Sequence, residues 1–196
     1  MRVGVVGVQG DVSEHVVALS RAMAAAGLSG SVAVVRRPED LESVNALTIP
    51  GGESATISRL LVNGGLFERI RERAAGGMPI LGTCAGCILL AKEGDDQVTR
   101  TGTQLLGLID MAVDRNAFGR QRESFEADLN VEFLDRPFHG VFIRAPAIVR
   151  TWGRCTALAS WDGRAVLARE GALIGAAFHP ELSGDLRIHT WFLGLV

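Results

Sequence analysis

The chain has 196 residues, of which 47% are hydrophobic and 21% charged, and a formal net charge of −2. That is enough for one domain with a substantial core, in an ordinary globular composition that excludes a disordered chain. Acids and bases are interspersed without a single-sign block, which argues against a nucleic-acid or anionic-membrane surface and leaves a small ligand. Three cysteines are too few for a disulfide framework, so a cytoplasmic, reducing location is expected. The first apolar run meets Asp11 and Glu14 far short of a signal sequence or membrane span.

In chain order, residues 2–8 read as a buried strand, followed by a helix with Ser13 at its start and Gly27 at its stop. Residues 31–36 and 46–50 are two further short strands, the second ending in Pro50-Gly51-Gly52, with only turn-like residues expected between them. Helical spacing follows, broken near Gly64-Gly65, then a continuous apolar strand over 78–82 and another helix. Such alternation argues for a doubly wound α/β fold, a three-layer sandwich with a mostly parallel, flavodoxin-like central sheet. From residue 104 the texture changes to successive strands, which would extend the sheet or add a small antiparallel layer. The last segment, 185–196, reads as a helix with Leu186, Ile188, Trp191, Phe192 and Leu195 roughly on one side. The whole of 1–196 is read as a single domain.

Gly82-Thr83-Cys84-Ala85-Gly86 stands where the fourth of these strands turns into a helix, with the Gly-x-nucleophile-x-Gly spacing of a nucleophile elbow. The elbow residue is held in a strained conformation, and the glycines let strand and helix approach closely. At a helix N-terminus a cysteine also gains thiolate character. Cys87, one turn on among Ile88, Leu89 and Leu90, looks like a small core residue. A Cys-x-x-Cys redox pair is the rival, but it has no need of the flanking glycines, and zinc would require ligands that Cys155 alone does not supply.

A thiol nucleophile needs a base. His15, His139 and His189 read as polar or half-buried surface residues. His179 ends an apolar run and is followed by Pro180-Glu181, so Glu181, two residues on, can reach its imidazole and steady the imidazolium. Pro50-Gly51-Gly52-Glu53-Ser54 lies at the C-terminal end of another strand, where ligands bind in open α/β sheets. Its amides at Gly51 and Gly52, with that of Ala85, are candidate oxyanion donors. The same turn also reads as a plain strand-to-helix connection with Ser54 as N-cap. A peptide between two glycines can reorient at little steric cost, so this donor could be switched by a partner.

An elbow cysteine, a His-x-Glu pair about a hundred residues on and a Pro-Gly-Gly turn resemble the triad (class I) glutamine amidotransferases. "GVQGDVSEH", "IPGGESATISRLL", "GTCAGCILLAKE", "GLIDMAVDRNAFGRQRESFEADL", "GVFIRAP" and "FHPELSGDLRIHTWF" narrow the resemblance to the glutaminase subunits of pyridoxal 5'-phosphate synthase, from about residue 3 to 192. The resemblance implies Cys84 as nucleophile, His179 as general base and acid, and Glu181 as its orienter. Glutamine contacts would fall on Gly52, Glu53, Ser54, Arg115, Ile143 and Arg144. An arginine beside the site suits an α-carboxylate, although Arg115 and Arg144 read equally as surface cations without the motif. The implied reaction releases glutamate and ammonia, the ammonia passing to a separate synthase subunit in a large hetero-oligomer. Pyridoxal 5'-phosphate would be the product of that complex, so no cofactor and no metal are expected here. A triad glutaminase serving another synthase, such as the histidine-pathway enzyme, is the nearest alternative; a scaffold lacking activity is opposed by the intact triad.

Overall fold

A computed structural model of the protein describes residues 1–115, 117–118 and 124–196. The first half of the chain lays down β1 (Arg2–Val6), α1 (Val12–Ala25), β2 (Ser31–Val35), α2 (Pro38–Glu42), β3 (Ala46–Ile49), α3 (Ser54–Asn63), α4 (Leu66–Ala75), β4 (Ile80–Thr83) and α5 (Ala85–Leu90). Then come β5 (Ala91–Gly94), α6 (Asp96–Arg100), β6 (Ile109–Asp114), β7 (Ser124–Leu129), β8 (Phe138–Ile143), β9 (Ala147–Thr151), β10 (Thr156–Trp161), β11 (Arg164–Glu170) and β12 (Leu173–Ala176). A 3₁₀ turn at Pro180–Leu182 and helix α7 (Arg187–Leu193) end the chain.

The central sheet runs β2-β1-β3-β4-β12-β11-β9-β6-β5, with β10 joined to β11. From β2 to β12 every pairing is parallel. Beyond β12 the sheet turns antiparallel through β11, β9 and β6, before β5 pairs parallel with β6. Strands β7 and β8 form a separate antiparallel sheet. Both expected outcomes for the second half therefore occur: most of its strands lengthen the sheet, and one pair forms a layer of its own.

Alternate strand residues point to opposite faces, and two cores result. Ile80 joins Leu41, Ile57, Leu61, Leu66 and Ile70 under α2, α3 and α4, while Leu81 joins Leu19, Ala22, Phe178 and Phe192 under α1 and α7. Helix α1 buries His15, Ala18, Leu19, Ala22 and Met23, the i, i+3, i+4, i+7, i+8 stripe of an amphipathic helix. Gly27 just beyond it takes φ +65°, the left-handed conformation that ends helices. Gly65, at φ +72°, separates α3 from α4 where the sequence indicates a break.

Several local expectations are corrected. The stretch between β2 and β3 is a short helix, α2, started by Pro38, a residue whose fixed φ suits a first helical turn. Helix α5 stops at Leu90 because Ala91 swings to ψ 152° and the chain goes straight into β5, a strand read as helix. Strand β9 follows β8 after only Arg144, Ala145 and Pro146 and is not expected from the sequence. Helix α3 is capped by Glu53, whose carboxylate accepts from the Ala55 and Thr56 amides at 3.3 and 2.7 Å, so Ser54 is inside the helix. Helix α1 likewise begins at Val12, with Asp11 rather than Ser13 in the cap position. Among the described residues no helix is long and apolar enough to cross a membrane.

Candidate active site

Cys84 follows directly on β4 with φ +47° and ψ −103°, a conformation rare for a residue with a side chain. The flanking glycines are required sterically. A Cβ on Gly82 would meet the Gly86 carbonyl oxygen at 2.5 Å, and one on Gly86 would run into the Ile49 carbonyl oxygen at the end of β3. The elbow packs strand against helix more tightly than any side chain allows. Its backbone is pinned by the Cys84 N–H donating to Ala176 O at 2.8 Å.

That bond belongs to the register that brings the other arm of the site alongside. Strand β12 pairs with β4 so that Ala176 stands opposite Thr83, which places the three residues after β12 next to the elbow. His179 is the third, and its N–H donates to Val141 O of β8 at 2.8 Å. His179 is 3% exposed. Its Nδ1 lies 2.6 Å from Glu181 Oε1, and the ring lines the same cavity as the Cys84 thiol. Burial alone would lower the imidazole's pKa, but its interactions with Cys84 and Glu181 outweigh it and raise the value to about 10. Glu181 is held above the usual carboxylate range chiefly by burial, against the pull of its bond to His179. Cysteine, imidazole and carboxylate are thus brought together, with the imidazole bonded to the carboxylate through Nδ1.

The cavity above the thiol holds about 380 Å³ and is lined by Gly52, Glu53, Ser54, Cys84, Ala85, Arg115, Ile143, Arg144 and His179 among others. Gly51 and Glu181 lie behind this wall. The Gly51 carbonyl accepts from the Asp11 N–H at 3.2 Å, and in a planar trans peptide this turns the Gly52 N–H to the opposite side. Gly52 sits at φ +145°, and a Cβ on Gly51 would collide with the His179 ring. The Ala85 amide is in the first turn of α5, where N–H groups lack intrahelical partners. Arg115 reaches the cavity with its guanidinium held 3.2 Å from both Glu53 Oε1 and Thr101 Oγ1. Burial would raise the Glu53 carboxyl, but the Thr56 and Ala55 amides and Arg115 hold it below its usual range. Arg144 is exposed, at φ +42° in the turn after β8, and the preceding Ile143 carbonyl lies 3.9 Å from the Cys84 sulfur. Of the motif that follows Arg115, residue 116 and residues 119–123 lie outside the described residues.

Cys87 is fully buried next to Gly175 and Met111, and burial pushes its thiol well up, with the charges of Cys84 and Cys155 adding to the effect. All three cysteines are free, and a thiol so placed resists the ionisation that disulfide exchange needs. Sequence reasoning missed four groups. Gln9 accepts from the Glu53 N–H at 3.0 Å, and Asp11 Oδ2 lies 3.3 Å from His179 Nδ1. Both follow β1, whose C-terminal end faces the site beside β3, and that position in a parallel sheet is a usable signal. His15 and His189, read as surface residues, are fully buried behind Glu181. His139 is exposed between Glu126 and Asp128, away from the site.

Residues 5–196 match the SNO glutamine amidotransferase family. The chain is 51% identical over 193 residues to the pyridoxal 5'-phosphate synthase subunit PdxT of Methanosarcina barkeri, covering 98% of this chain and 96% of that one. It is 50% identical over 195 residues to PdxT of Archaeoglobus fulgidus, covering 100% and 98%. Among solved structures, one described as a glutamine amidotransferase superposes with a TM-score of 0.86 at 44% identity, covering 98% of this chain and 97% of that one. PurLQS of Thermotoga maritima shares the fold alone, with a TM-score of 0.69 at 17% identity over 99% of this chain and 96% of that one. With a full-length family match and relatives at half identity, the chain belongs to the SNO glutamine amidotransferase family.

Proposed function

We propose that the chain hydrolyses the side-chain amide of L-glutamine as the glutaminase subunit of a pyridoxal 5'-phosphate synthase, and that residues 1–196 act as one glutaminase domain. The observation that carries the reading is that Cys84 and His179 line one cavity of amino-acid size, with Glu181 bonded to His179 behind it. The Cys84 thiolate attacks the amide carbonyl, and the oxyanion is met by the Gly52 and Ala85 amides, with Gly51 shaping the turn. His179 passes its proton to the departing nitrogen, ammonia leaves and a thioester remains. Water, deprotonated by His179, then releases glutamate and restores the thiol. Glu181 orients the ring and stabilises the imidazolium.

Arg115 and Arg144 suit the α-carboxylate of glutamine, and Glu53 its ammonium group, with Ser54 and Ile143 completing the wall. The ammonia is passed to a separate synthase subunit in a hetero-oligomer, consistent with the PdxT relatives' designation as synthase subunits. A reducing, cytoplasmic location suits the free Cys84 thiol this chemistry needs. The test is glutamate release from glutamine with the synthase subunit present. The wild-type chain is expected to turn over and Cys84→Ala to be inactive; turnover by Cys84→Ala equal to wild type refutes the assignment.

A further inference from the structure

Glu181 has one oxygen bound to His179, while the other, Oε2, is buried without a hydrogen-bond partner among the described residues. A buried carboxylate oxygen in that state is costly, most of all while the carboxylate must remain charged opposite an imidazolium. The side chain aimed at it is His15 of α1, fully buried, with Nε2 at 3.4 Å from Oε2 and 2.9 Å from Thr83 Oγ1. Thr83 is the residue before the nucleophile. One imidazole nitrogen therefore stands between the carboxylate end of the triad and the strand that presents its sulfur.

We propose that His15 is a positioning residue for the triad: its Nε2–H, anchored by Thr83, steadies Glu181 Oε2 as the His179 imidazolium forms. The proposal rests on the glutaminase reading above. The 3.4 Å separation is longer than a full hydrogen bond, so the donor closes on Oε2 when charge builds on the pair. The charged and titratable groups around Glu181 are His179, His15 and Asp11, and those around His15 are Glu181, His179 and His189, whose ring centroid is 6.0 Å away. Burial first, then the charges of His189 and His179, hold His15 below its ordinary value, so it is a neutral donor rather than a second cation.

Removing the donor destabilises the ionised form of Glu181 and with it the imidazolium. The acid limb of the kcat profile then moves to higher pH. For a hydrogen bond to a charged group kcat falls by about tenfold or more, with KM little changed because His15 does not line the cavity. The experiment measures glutamate production by the full chain with its synthase partner across pH, for wild type, His15→Leu, His15→Gln and, as a control, the exposed His139→Gln. His15→Leu is expected to lose about tenfold or more in kcat and to shift the acid limb upward. His15→Gln, which can place an amide N–H near the Nε2 position, should recover much of both, and His139→Gln should match wild type. Equal losses in His15→Leu and His15→Gln with an unmoved acid limb, or wild-type kcat in His15→Leu, would overturn the proposal. Should His15→Leu not fold, Thr83→Val frees the same ring. It is expected to shift the limb in the same direction, with Thr83→Ser restoring it, and an unshifted limb in Thr83→Val counts against the idea. A wild-type chain without glutaminase activity would instead sink the underlying reading.

Discussion

In the proposed mechanism His179 and Glu181 carry different parts of one task, and substitution separates them. An amide at position 179 cannot move a proton, so His179→Asn is expected to lose at least about 10²-fold in kcat. Glu181→Gln keeps a partner for Nδ1 but removes the charge that favours imidazolium, and a smaller loss is expected from parallel glutamate assays. Cys87→Ala should retain most activity, since that sulfur is sealed in the core; loss equal to that of Cys84→Ala in a folded protein would revive the redox pair. The two halves of the proposed triad were legible as candidates because each is a local pattern. Gly-x-Cys-x-Gly encodes a strained elbow, and His-x-Glu places two side chains within reach of each other. His15 was not legible, because one histidine on the buried stripe of α1 looks like any other polar residue on a helix until the sheet places Thr83 and Glu181 against it.

Among the elements, α5 shows how packing overrules propensity. Replacing a helical glycine by alanine ordinarily stabilises by about 1 kcal/mol. At Gly86 the added methyl meets the Ile49 carbonyl oxygen, a backbone atom that cannot turn aside, and overpacking of this kind costs about 1–3 kcal/mol. Gly86→Ala is therefore expected to lower Tm and, because Ile49 leads into Pro50-Gly51-Gly52, to lower kcat as well; a raised Tm in calorimetry would contradict the packing argument. Helices α1 and α7 bury the other pair of histidines. Burial holds His189 down at about 4 against an ordinary 6.5, and His15 is depressed in the same direction. Between those values the unfolded chain binds more protons than the folded one, so stability falls as pH drops from 6.5 toward 4. The raised Glu181 and His179 work in the opposite sense and offset part of this. Wild type should melt lower at about pH 5 than at about pH 7, with His189 contributing roughly 2 kcal/mol of the difference. His189→Leu should show a smaller drop in the same melting experiment; an equal drop would remove His189 from the account.

For the whole molecule the expected behaviour is coupling to a partner. The Gly51 carbonyl bonded to the Asp11 N–H holds the Pro50-Gly51-Gly52 turn in one orientation, and α1, which begins beside Asp11, carries His15 to the back of the proposed triad. A partner that shifts the start of α1 can therefore reach both ends of the site. Titrating the synthase subunit into the chain at saturating glutamine is expected to raise glutamate production by about 10²-fold, the worth of one oxyanion donor; an unchanged rate would leave the glycines with a structural role only. By itself the sequence determined the alternating parallel half, the position of the elbow, the helix break at Gly64-Gly65 and the family, because each is written in neighbouring residues through hydrophobic period, turn chemistry and motif spacing. Only the tertiary structure decided that β12 inserts beside β4, that β7 and β8 leave the main sheet, and that Gln9, Asp11, His15 and His189 surround the triad. Those outcomes depend on pairings and side-chain contacts between segments far apart in the chain, and no local period or spacing encodes which strand another will lie against.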